Sequence, residues 1–278
     1  MKNLNERLNI IYIAVGDGGS DKALLNLLDG LKLYNVNPLV IINKSNDFKN
    51  ELVKRNIPFK LVKYKFDIWP SFIFWSDKIR YLWRLFYNPI LNYFAVNSII
   101  KIAREFKVDI IHSNSGVYQI GFNAAKKIGI PHVWHLREYQ DLDFSMSPFP
   151  CKNVFNSKIH SQNNYCISIT KGIFDYFKLN DRRASLIYDG VLKNEHKQFN
   201  LNKEKYFLFV GGITHNKGVM ELLDVFIEFA AVDKEYELWV VAKFIENEYT
   251  KSLLEKIKFH KLRNRVRFLG YRKDVHEL

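Results

Sequence analysis

Short apolar runs alternate along the chain with longer segments in which apolar residues recur at helical spacing. The first run, NIIYIAV, covers 9–15, and the segment 20–34 then places Ala23, Leu24, Leu27, Leu28 and Leu31 on one helical face. A second apolar run, NPLVII, follows at 37–42. A strand, a helix and a second strand in this order predict a βαβ unit with parallel strands.

The same alternation continues to about residue 190. Each further run is flanked by Gly, Pro, Asn or Asp, which commonly end strands. The runs are VDIIHS at 108–113, IPHVWHL at 130–136, NYCISI at 164–169 and ASLIYDGV at 184–191, and a helix-like segment, YQIGFNAAKKIG, covers 118–129. Residues 1–190 are therefore predicted to form a Rossmann-like α/β domain, a parallel sheet covered by helices.

A polar segment separates this domain from a second α/β pattern. The composition between 191 and 204 is VLKNEHKQFNLNKE, which predicts a linker. Beyond it, YFLFVGG, YELWVVA and RVRFLGY predict three strands, with helices at 217–231 and 247–260. Residues 205–278 thus predict part of a second Rossmann-like domain, because a doubly wound nucleotide-binding domain usually has two such halves.

Composition and charge narrow the class of protein. The 278 residues are 47% hydrophobic, enough for a substantial core, and the net charge of +13 predicts affinity for anions. Cys151 and Cys166 lack the pattern of a disulfide framework or a metal site, which favours a reducing cytoplasm. No segment resembles a signal peptide, and the longest charge-free interval, 85–100, is short for a membrane span and contains Asn and Pro.

The stretch YFLFVGGITHNKGVMELLDVF at 206–226 raises the question of chemistry. Gly211 and Gly212 follow the apolar run, and Lys217 stands just before the helical pattern resumes. One interpretation is an ordinary tight turn with a solvated lysine. The other is a diphosphate site, in which glycines allow close approach of the backbone while the helix amino end and Lys217 stabilise the charge.

Four segments decide in favour of the second interpretation, since together they resemble the family-4 (group 1) glycosyltransferases of GT-B fold. They are VGDGGSDKALLNLL, VDIIHSNSG followed by IPHVWHLRE, CISIT…IYDGV, and FLFVGGITHNKGVMELLDVF…RVRFLGYRKDVHEL. The resemblance implies transfer of a sugar from a nucleotide diphosphate donor, most simply a UDP-sugar, with retention and without a metal or other cofactor. It places Lys217 beside the donor diphosphate, where the ammonium would neutralise the leaving group.

The chain departs from the family in two places. The family often reads G-R-x-x-x-x-K-G at this turn, and here the arginine position is Gly212. The family's later pair of glutamates, which contact the donor, has no counterpart up to Leu278, so we expect a fragment or a naturally truncated protein. An alternative therefore stays open, a non-catalytic acceptor- or membrane-binding module that needs a partner or the missing segment.

The resemblance also assigns residues in the first domain. Gly18 and Gly19 match the family's glycine loop, which approaches the donor phosphate or the acceptor, and an ordinary turn is the alternative. His135 falls where many relatives carry a histidine at the inter-domain cleft, to position the acceptor hydroxyl or the donor. Arg137 would bind phosphate, and Glu138 would orient these two residues or act as a base. A structural histidine with a surface ion pair is the alternative, and His112 is expected to be structural.

Aromatic and basic residues are interleaved over 64–94. No nucleic-acid module matches them, so we expect no nucleic-acid partner. A helix carrying Trp83 and Phe86, with Arg80 and Arg84 offset, instead suits contact with an anionic membrane or a lipid-linked acceptor. The alternative is a core helix with a polar rim. The sequence thus predicts a cytoplasmic enzyme, peripheral at the inner face of the cell membrane, that acts on a surface-glycan precursor.

Overall fold

The computed structural model describes residues 7–14, 18–45, 47–69, 75–144, 146–190, 204–272, 274–275 and 278, without the side chains of 75–83 and 144. The chain divides into two compact units, Met1–Val191 and Leu192–Leu278. Most of the linker predicted at 191–204 lies outside the described residues.

The first unit contains a seven-stranded parallel sheet. Its strands are β1 (Leu8–Ile13), β2 (Val36–Ile42), β3 (Phe59–Leu61), β5 (Ile110–Ser113), β6 (His132–Leu136), β8 (Asn164–Ser168) and β9 (Ala184–Leu186). They run in the order β3-β2-β1-β5-β6-β8-β9, with register pairs such as Ile13↔Ser113 and Ser113↔Trp134. Two short strands, β4 (Ile68–Trp69) and β7 (Ser147–Pro148), pair antiparallel beside it. The carboxyl ends of the parallel strands therefore lie along one edge.

Helices cover both faces of this sheet. They are α1 (Gly19–Leu31), α2 (Asp47–Lys54), α3 (Trp75–Glu105), α4 (Ile120–Ile128), α5 (Asp141–Phe144), α6 (Lys152–Ile159) and α7 (Lys171–Tyr176). Alternate residues of β1 explain this layering, since Ile11 and Ile13 pack with α3 and α4, while Tyr12 and Ala14 pack with α1 and α2. Burying one such aliphatic side chain contributes about 1.5–3 kcal/mol, so strands apolar on both faces are strongly held inside.

A buried polar chain joins three neighbouring strands. The hydroxyl of Ser113 lies 2.9 Å from Nε2 of His132, and Nδ1 of His132 lies 2.6 Å from Oδ1 of Asn164. A side-chain carbon at Gly121 would collide with the Ser113 hydroxyl, so α4 can approach the sheet here only through a glycine. The side chains of Ser113, His132 and Asn164 satisfy one another's hydrogen-bonding groups inside the core, so these three residues have a structural role.

The second unit is a smaller α/β assembly. It contains β10 (Tyr206–Val210), α8 (Val219–Val232), β11 (Glu237–Val241), α9 (Glu248–Phe259) and β12 (Val266–Gly270). The strands are parallel in the order β10-β11-β12, and both helices pack on them through Leu223, Phe226, Leu253 and Ile257. The guanidinium of Arg265 donates to the carbonyls of Ala230, Asp233 and Tyr236, which ties the end of α8 to the sheet.

The elements differ from the predictions mainly at their ends. The helix predicted at 20–34 ends at Leu31, and the helix predicted from Lys217 begins at Val219, because Gly218 adopts a left-handed conformation with φ 69°. The sequence did not reveal α2, α6 or α7, which are six to eight residues long. Helices this short show too little periodicity to stand out from loops.

Candidate functional site

Polar side chains meet at the carboxyl edge of the seven-stranded sheet, where Asn114 connects three segments. Its Nδ2 donates to the carbonyl of Ser20 in the first turn of α1 at 2.8 Å, and its Oδ1 accepts from Nε of Arg137 at 3.1 Å. The amino end of α1, the end of β5 and the segment after β6 are thereby held together. The structure thus brings the Gly18–Gly19 turn and the His135–Arg137 segment to one place within the first unit.

His135 lies in this cluster with one ring nitrogen already used. Its Nδ1 is 3.3 Å from Nη2 of Arg137, and a guanidinium can only donate a hydrogen bond. Nδ1 must therefore accept, and the proton of the neutral ring is on Nε2. This Nε2 is buried and has no hydrogen-bond partner among the described residues, so its N–H is an unsatisfied donor.

The surroundings keep this ring neutral. Burial, the charge of Arg137 and the neighbouring ring of His112 lower the pKa of His135 to about 2. The pKa of His112 falls to about 3, chiefly through burial, and its ring lies 5.5 Å from that of His135. At neutral pH neither imidazole carries a charge, so His135 is a neutral ring and not a cation.

Arg137 lies in the same cluster. Its side chain is only 5% exposed, and Nη1 forms an ion pair with Oδ2 of Asp189 at 2.5 Å. The guanidinium also contacts Asn114 and His135, so all its partners in the described chain are protein side chains. Phosphate binding by Arg137 stays a prediction, and the ion pair with Asp189 leaves less of its charge for an anion. The contact with the ring of His135 is made through Nη2.

Glu138 also has partners other than the expected ones. Its Oε1 accepts from the hydroxyl of Ser115 at 2.6 Å and from the backbone N–H of Gly116 at 2.7 Å. These bonds join Glu138 to the loop after β5, and the charge of Arg137 also acts on its carboxyl group. That Glu138 orients His135 or Arg137, or acts as a base, stays a prediction. Burial raises the pKa of this carboxyl. Glu138 fixes the loop whose Asn114 connects the cluster.

The glycines after β1 have a conformational reason of their own. Gly18 has φ 104° and ψ −162° at the amino end of α1, a region of backbone space that is essentially restricted to glycine. Gly19 begins the helix, and a side-chain carbon at either position would meet open space. Residues 15–17 lie outside the described part of the chain. Among the described residues, no atom lies within 4 Å of a side-chain carbon at either glycine.

The turn between β10 and α8 is ordered by its own backbone. The N–H of Gly211 donates to the carbonyl of Val241 at 3.1 Å, and buried Ile213 anchors the turn in the core of the second unit. A 3₁₀ turn, His215–Lys217, follows and ends at Gly218. α8 then begins with its first N–H groups directed toward this turn, an arrangement that favours anions.

Gly212 and Lys217 are both exposed in this turn. A side-chain carbon at Gly212 would lie 3.9 Å from the nearest atom, and its φ is not positive, so neither packing nor conformation requires glycine there. Lys217 makes no ion pair with any described residue. Both positions are therefore accessible at the surface of the second unit.

The sequence did not single out Asn114 or Asp189. Both follow strands at the same sheet edge, at the ends of β5 and β9, and that shared position is the signal that could have identified them. Asp189 is 52 residues from Arg137, so their pairing depends on the strand order. The structure thus adds a positioning chain of Asp189, Arg137 and His135.

Phe86 and Trp83 of α3 were predicted to face a membrane. Phe86 is 72% exposed, and Tyr87, Ile90, Tyr93 and Phe94 are between 43% and 61% exposed. The side chain of Trp83 lies outside the described part.

None of the described helices is long and apolar enough to cross a membrane. Nor do three His, Cys, Asp or Glu side chains of the described residues come together to hold a metal ion.

Comparison with known sequences identifies the second unit. Residues 192–278 match the sequence profile of the family described as glycosyl transferases group 1. No curated protein matches the chain. The matched segment contains the whole of the Gly211–Gly218 turn.

Comparison with solved structures covers nearly the whole chain. HepE from Anabaena, in complex with UDP and glucose, has a TM-score of 0.68 at 18% identity over 98% of this chain and 71% of its own. A glycosyltransferase from Rickettsia africae gives 0.71 at 15% identity over 97% and 70%. A UDP-N-acetylglucosamine 2-epimerase gives 0.55 at 12% identity over 98% and 71%. Likeness at these identities establishes the GT-B-like fold of the chain, and the family match confirms the resemblance to group 1 glycosyltransferases over residues 192–278.

Proposed function

We propose that this chain, by resemblance a group 1 glycosyltransferase, moves a sugar from a UDP-sugar to a surface-glycan precursor. The observation that carries the proposal is the Gly211–Gly218 turn, which lies in the segment that matches the family. Support for UDP comes from HepE, whose structures contain UDP, UDP with glucose, or UDP-glucose. The fold alone supports less, because an epimerase shares it.

The donor end of the reaction belongs to the second unit. The diphosphate accepts hydrogen bonds from backbone N–H groups at the start of α8 and lies beside the ammonium of Lys217. Breaking the bond between the sugar and the diphosphate leaves negative charge on UDP, which these groups stabilise. This arrangement favours a transfer that needs no metal ion. Retention means that the acceptor oxygen bonds to the anomeric carbon on the face that UDP leaves.

The first unit contributes His135. As a neutral N–H donor it orients an oxygen of the donor sugar or of the acceptor, while Arg137 and Asp189 fix the ring. A histidine that stays neutral from pH 5 to pH 9 gives this hydrogen bond throughout that range. His135 is therefore proposed as a substrate-positioning group and not as a general base.

The acceptor is proposed to be linked to a lipid in an anionic membrane. Five exposed apolar residues on α3 form an apolar surface, namely Phe86, Tyr87, Ile90, Tyr93 and Phe94. Lys127 lies over the ring of Tyr93 at 4.9 Å, and Lys101 and Arg104 are exposed further along the helix. Aromatic rings with nearby cations suit the interface of an anionic bilayer. This surface supports a peripheral position at the inner face of the membrane.

Release of UDP from a panel of UDP-sugars, with and without prenyl-phosphate-linked saccharides, tests the proposal. We expect one UDP-sugar to react, faster when an acceptor is present. His135→Ala should lower this rate much more than it lowers UDP affinity, while exposed His260→Ala changes neither. Absence of UDP release from every UDP-sugar would contradict transfer and favour the binding-module alternative. Equal loss of melting temperature and of rate in His135→Ala would indicate a structural histidine.

A further inference from the structure

A cavity in the first unit is lined by residues other than His135 and its partners. It is a groove of about 480 Å³ between the segment that ends in β4, the first described turns of α3 and the segment around β7. Its described walls are mainly apolar, and include Phe66, Ile68, Trp69, Tyr87, Met146 and Phe149. A volume of this size accommodates a substantial part of a small ligand.

The aromatic wall exposes mainly carbon atoms to the groove, and the indole N–H of Trp69 is hydrogen-bonded within the protein. The rings of Trp69 and Phe149 pack with centroids 4.7 Å apart, and the indole N–H of Trp69 donates to the carbonyl of Pro150 at 2.8 Å. Phe66 is 40% exposed. The wall therefore offers surface to a hydrocarbon, with little hydrogen-bonding capacity for sugar hydroxyls on Trp69.

Buried hydrogen bonds hold the groove in shape. Asn92 of α3 bonds both the N–H and the carbonyl of Lys65, at 2.8 and 2.9 Å. The carboxylate of Asp67 accepts from Asn92 at 2.9 Å and from the N–H of Gln119 at 2.7 Å, and the carbonyl of Asp67 accepts from the N–H of Phe149. All three walls are thus tied to α3 and α4, so the groove is pre-formed.

The charge at the groove is positive. Lys65 and Arg84 line it, both are exposed, and neither has an ion-pair or hydrogen-bond partner for its charged group in the described part of the chain. Asp67 is the acidic residue among the described lining residues, and both its oxygens already accept hydrogen bonds. An apolar body with an anionic group complements such a site, because Arg and Lys bind phosphate well.

We propose that this groove binds the lipid-phosphate part of the acceptor, with hydrocarbon along Phe66, Trp69 and Tyr87 and phosphate between Lys65 and Arg84. The inference rests on the proposed function, since it names the chemical class of the acceptor carrier. It separates the two tasks on α3. The outward face with Phe86 and Ile90 contacts the membrane, and the groove, which shares Tyr87 with that face, takes one lipid from it.

Binding of farnesyl phosphate, farnesol, inorganic phosphate and glucose 1-phosphate tests the groove, measured by titration calorimetry on the whole chain below micelle-forming concentrations. Farnesyl phosphate should bind at least about tenfold more tightly than each of the other three, because only it has both parts. The Lys65→Gln/Arg84→Gln pair should weaken farnesyl phosphate about tenfold and leave farnesol unchanged. The matched control is Lys60→Gln/Lys63→Gln, an exposed pair of the same unit outside the groove, which should leave both ligands unchanged.

Other results overturn the inference. Equal binding of inorganic phosphate indicates a free-anion site, equal binding of glucose 1-phosphate indicates a saccharide groove, and equal weakening in the control pair indicates non-specific charge. Phe66→Ser adds a variant at an exposed position, which should weaken farnesyl phosphate and farnesol alike without changing the melting temperature. UDP binding is measured on the same preparations. If the wild type binds UDP but not farnesyl phosphate, only the proposal for the groove is contradicted. If the wild type does not bind UDP, the proposed function is contradicted.

Discussion

At the scale of single residues, the account depends on groups whose partners define their chemistry. His135 was expected from the sequence as a catalytic group near phosphate-binding Arg137. The position of His135 after an apolar run was readable, because strand ends of a parallel sheet collect functional groups. The proton on Nε2 could not be predicted from the sequence, because it follows from the hydrogen bond between Arg137 and Nδ1 of His135. The position of Arg137 in turn depends on its ion pair with Asp189.

At Gly212, a substitution that adds a positive charge allows a prediction. Relatives often carry arginine here, and an added side chain meets open space in this structure. Gly212→Arg should tighten UDP binding by roughly 1.5–3 kcal/mol, the value of a charge-assisted hydrogen bond. Calorimetric titration with UDP measures the effect. Gly212→Gln is the control for size without charge, and an arginine variant that binds no tighter than this control would contradict a phosphate at the turn.

The buried histidines predict a dependence of stability on pH. The pKa values of His112, His132 and His135 in the folded protein are about 3, 4 and 2, chiefly through burial, whereas an unfolded histidine has a pKa of about 6.5. As the pH falls below about 6.5, the unfolded chain takes up these protons first, so the free energy of unfolding decreases. Each histidine contributes up to about 1.4 kcal/mol per pH unit.

Urea unfolding at pH 7.5, 6.5 and 5.5 measures this slope. His112→Gln should reduce the slope of stability against pH below 6.5, even if it lowers stability at every pH. His260→Gln, on an exposed histidine of the second unit, is the control and should leave the slope unchanged. An identical slope in wild type and His112→Gln would contradict a neutral, buried His112.

At the scale of elements, the long helix α3 shows what periodicity can and cannot predict. The sequence placed aromatic and basic residues on one helix but could not decide between a membrane surface and a core. The structure divides the helix: Val96, Ile99 and Ala103 are buried, whereas Phe86, Ile90 and Tyr93 are exposed. The two sides could not be separated from the sequence, because both are apolar. Short helices such as α6 were missed for the opposite reason, too few apolar residues.

The exposed side of α3 predicts binding to anionic vesicles. In flotation experiments the protein should associate with anionic vesicles more than with neutral ones, and salt should weaken but not abolish this, since only the electrostatic part is screened. Phe86→Ser/Ile90→Ser should remove the salt-resistant part. Val225→Ser/Val232→Ser, exposed on α8, is the matched control. Equal flotation of the Phe86/Ile90 variant and wild type would show that this face does not enter the interface.

At the scale of the whole molecule, two α/β units were predictable because their strands are apolar on both faces and alternate with helices. The resemblance also located the glycine turn and Lys217. The hydrogen bonds that assemble the first unit's cluster were not predictable, because Ser20, Asn114, Arg137 and Asp189 lie far apart in the chain. The net charge of +13 agrees with anionic ligands in both units but identifies none of them.

The central claim is that the Gly211–Gly218 turn holds the diphosphate of a UDP-sugar, and UDP binding to Lys217→Ala tests it most directly. Calorimetric titration should show affinity weakened by roughly 1.5–3 kcal/mol, about 10- to 150-fold, through loss of one charge-assisted contact. Lys258→Ala removes an equal charge from an exposed position at the far end of α9 and should leave the affinity unchanged. Equal UDP affinities in wild type and Lys217→Ala would contradict the account.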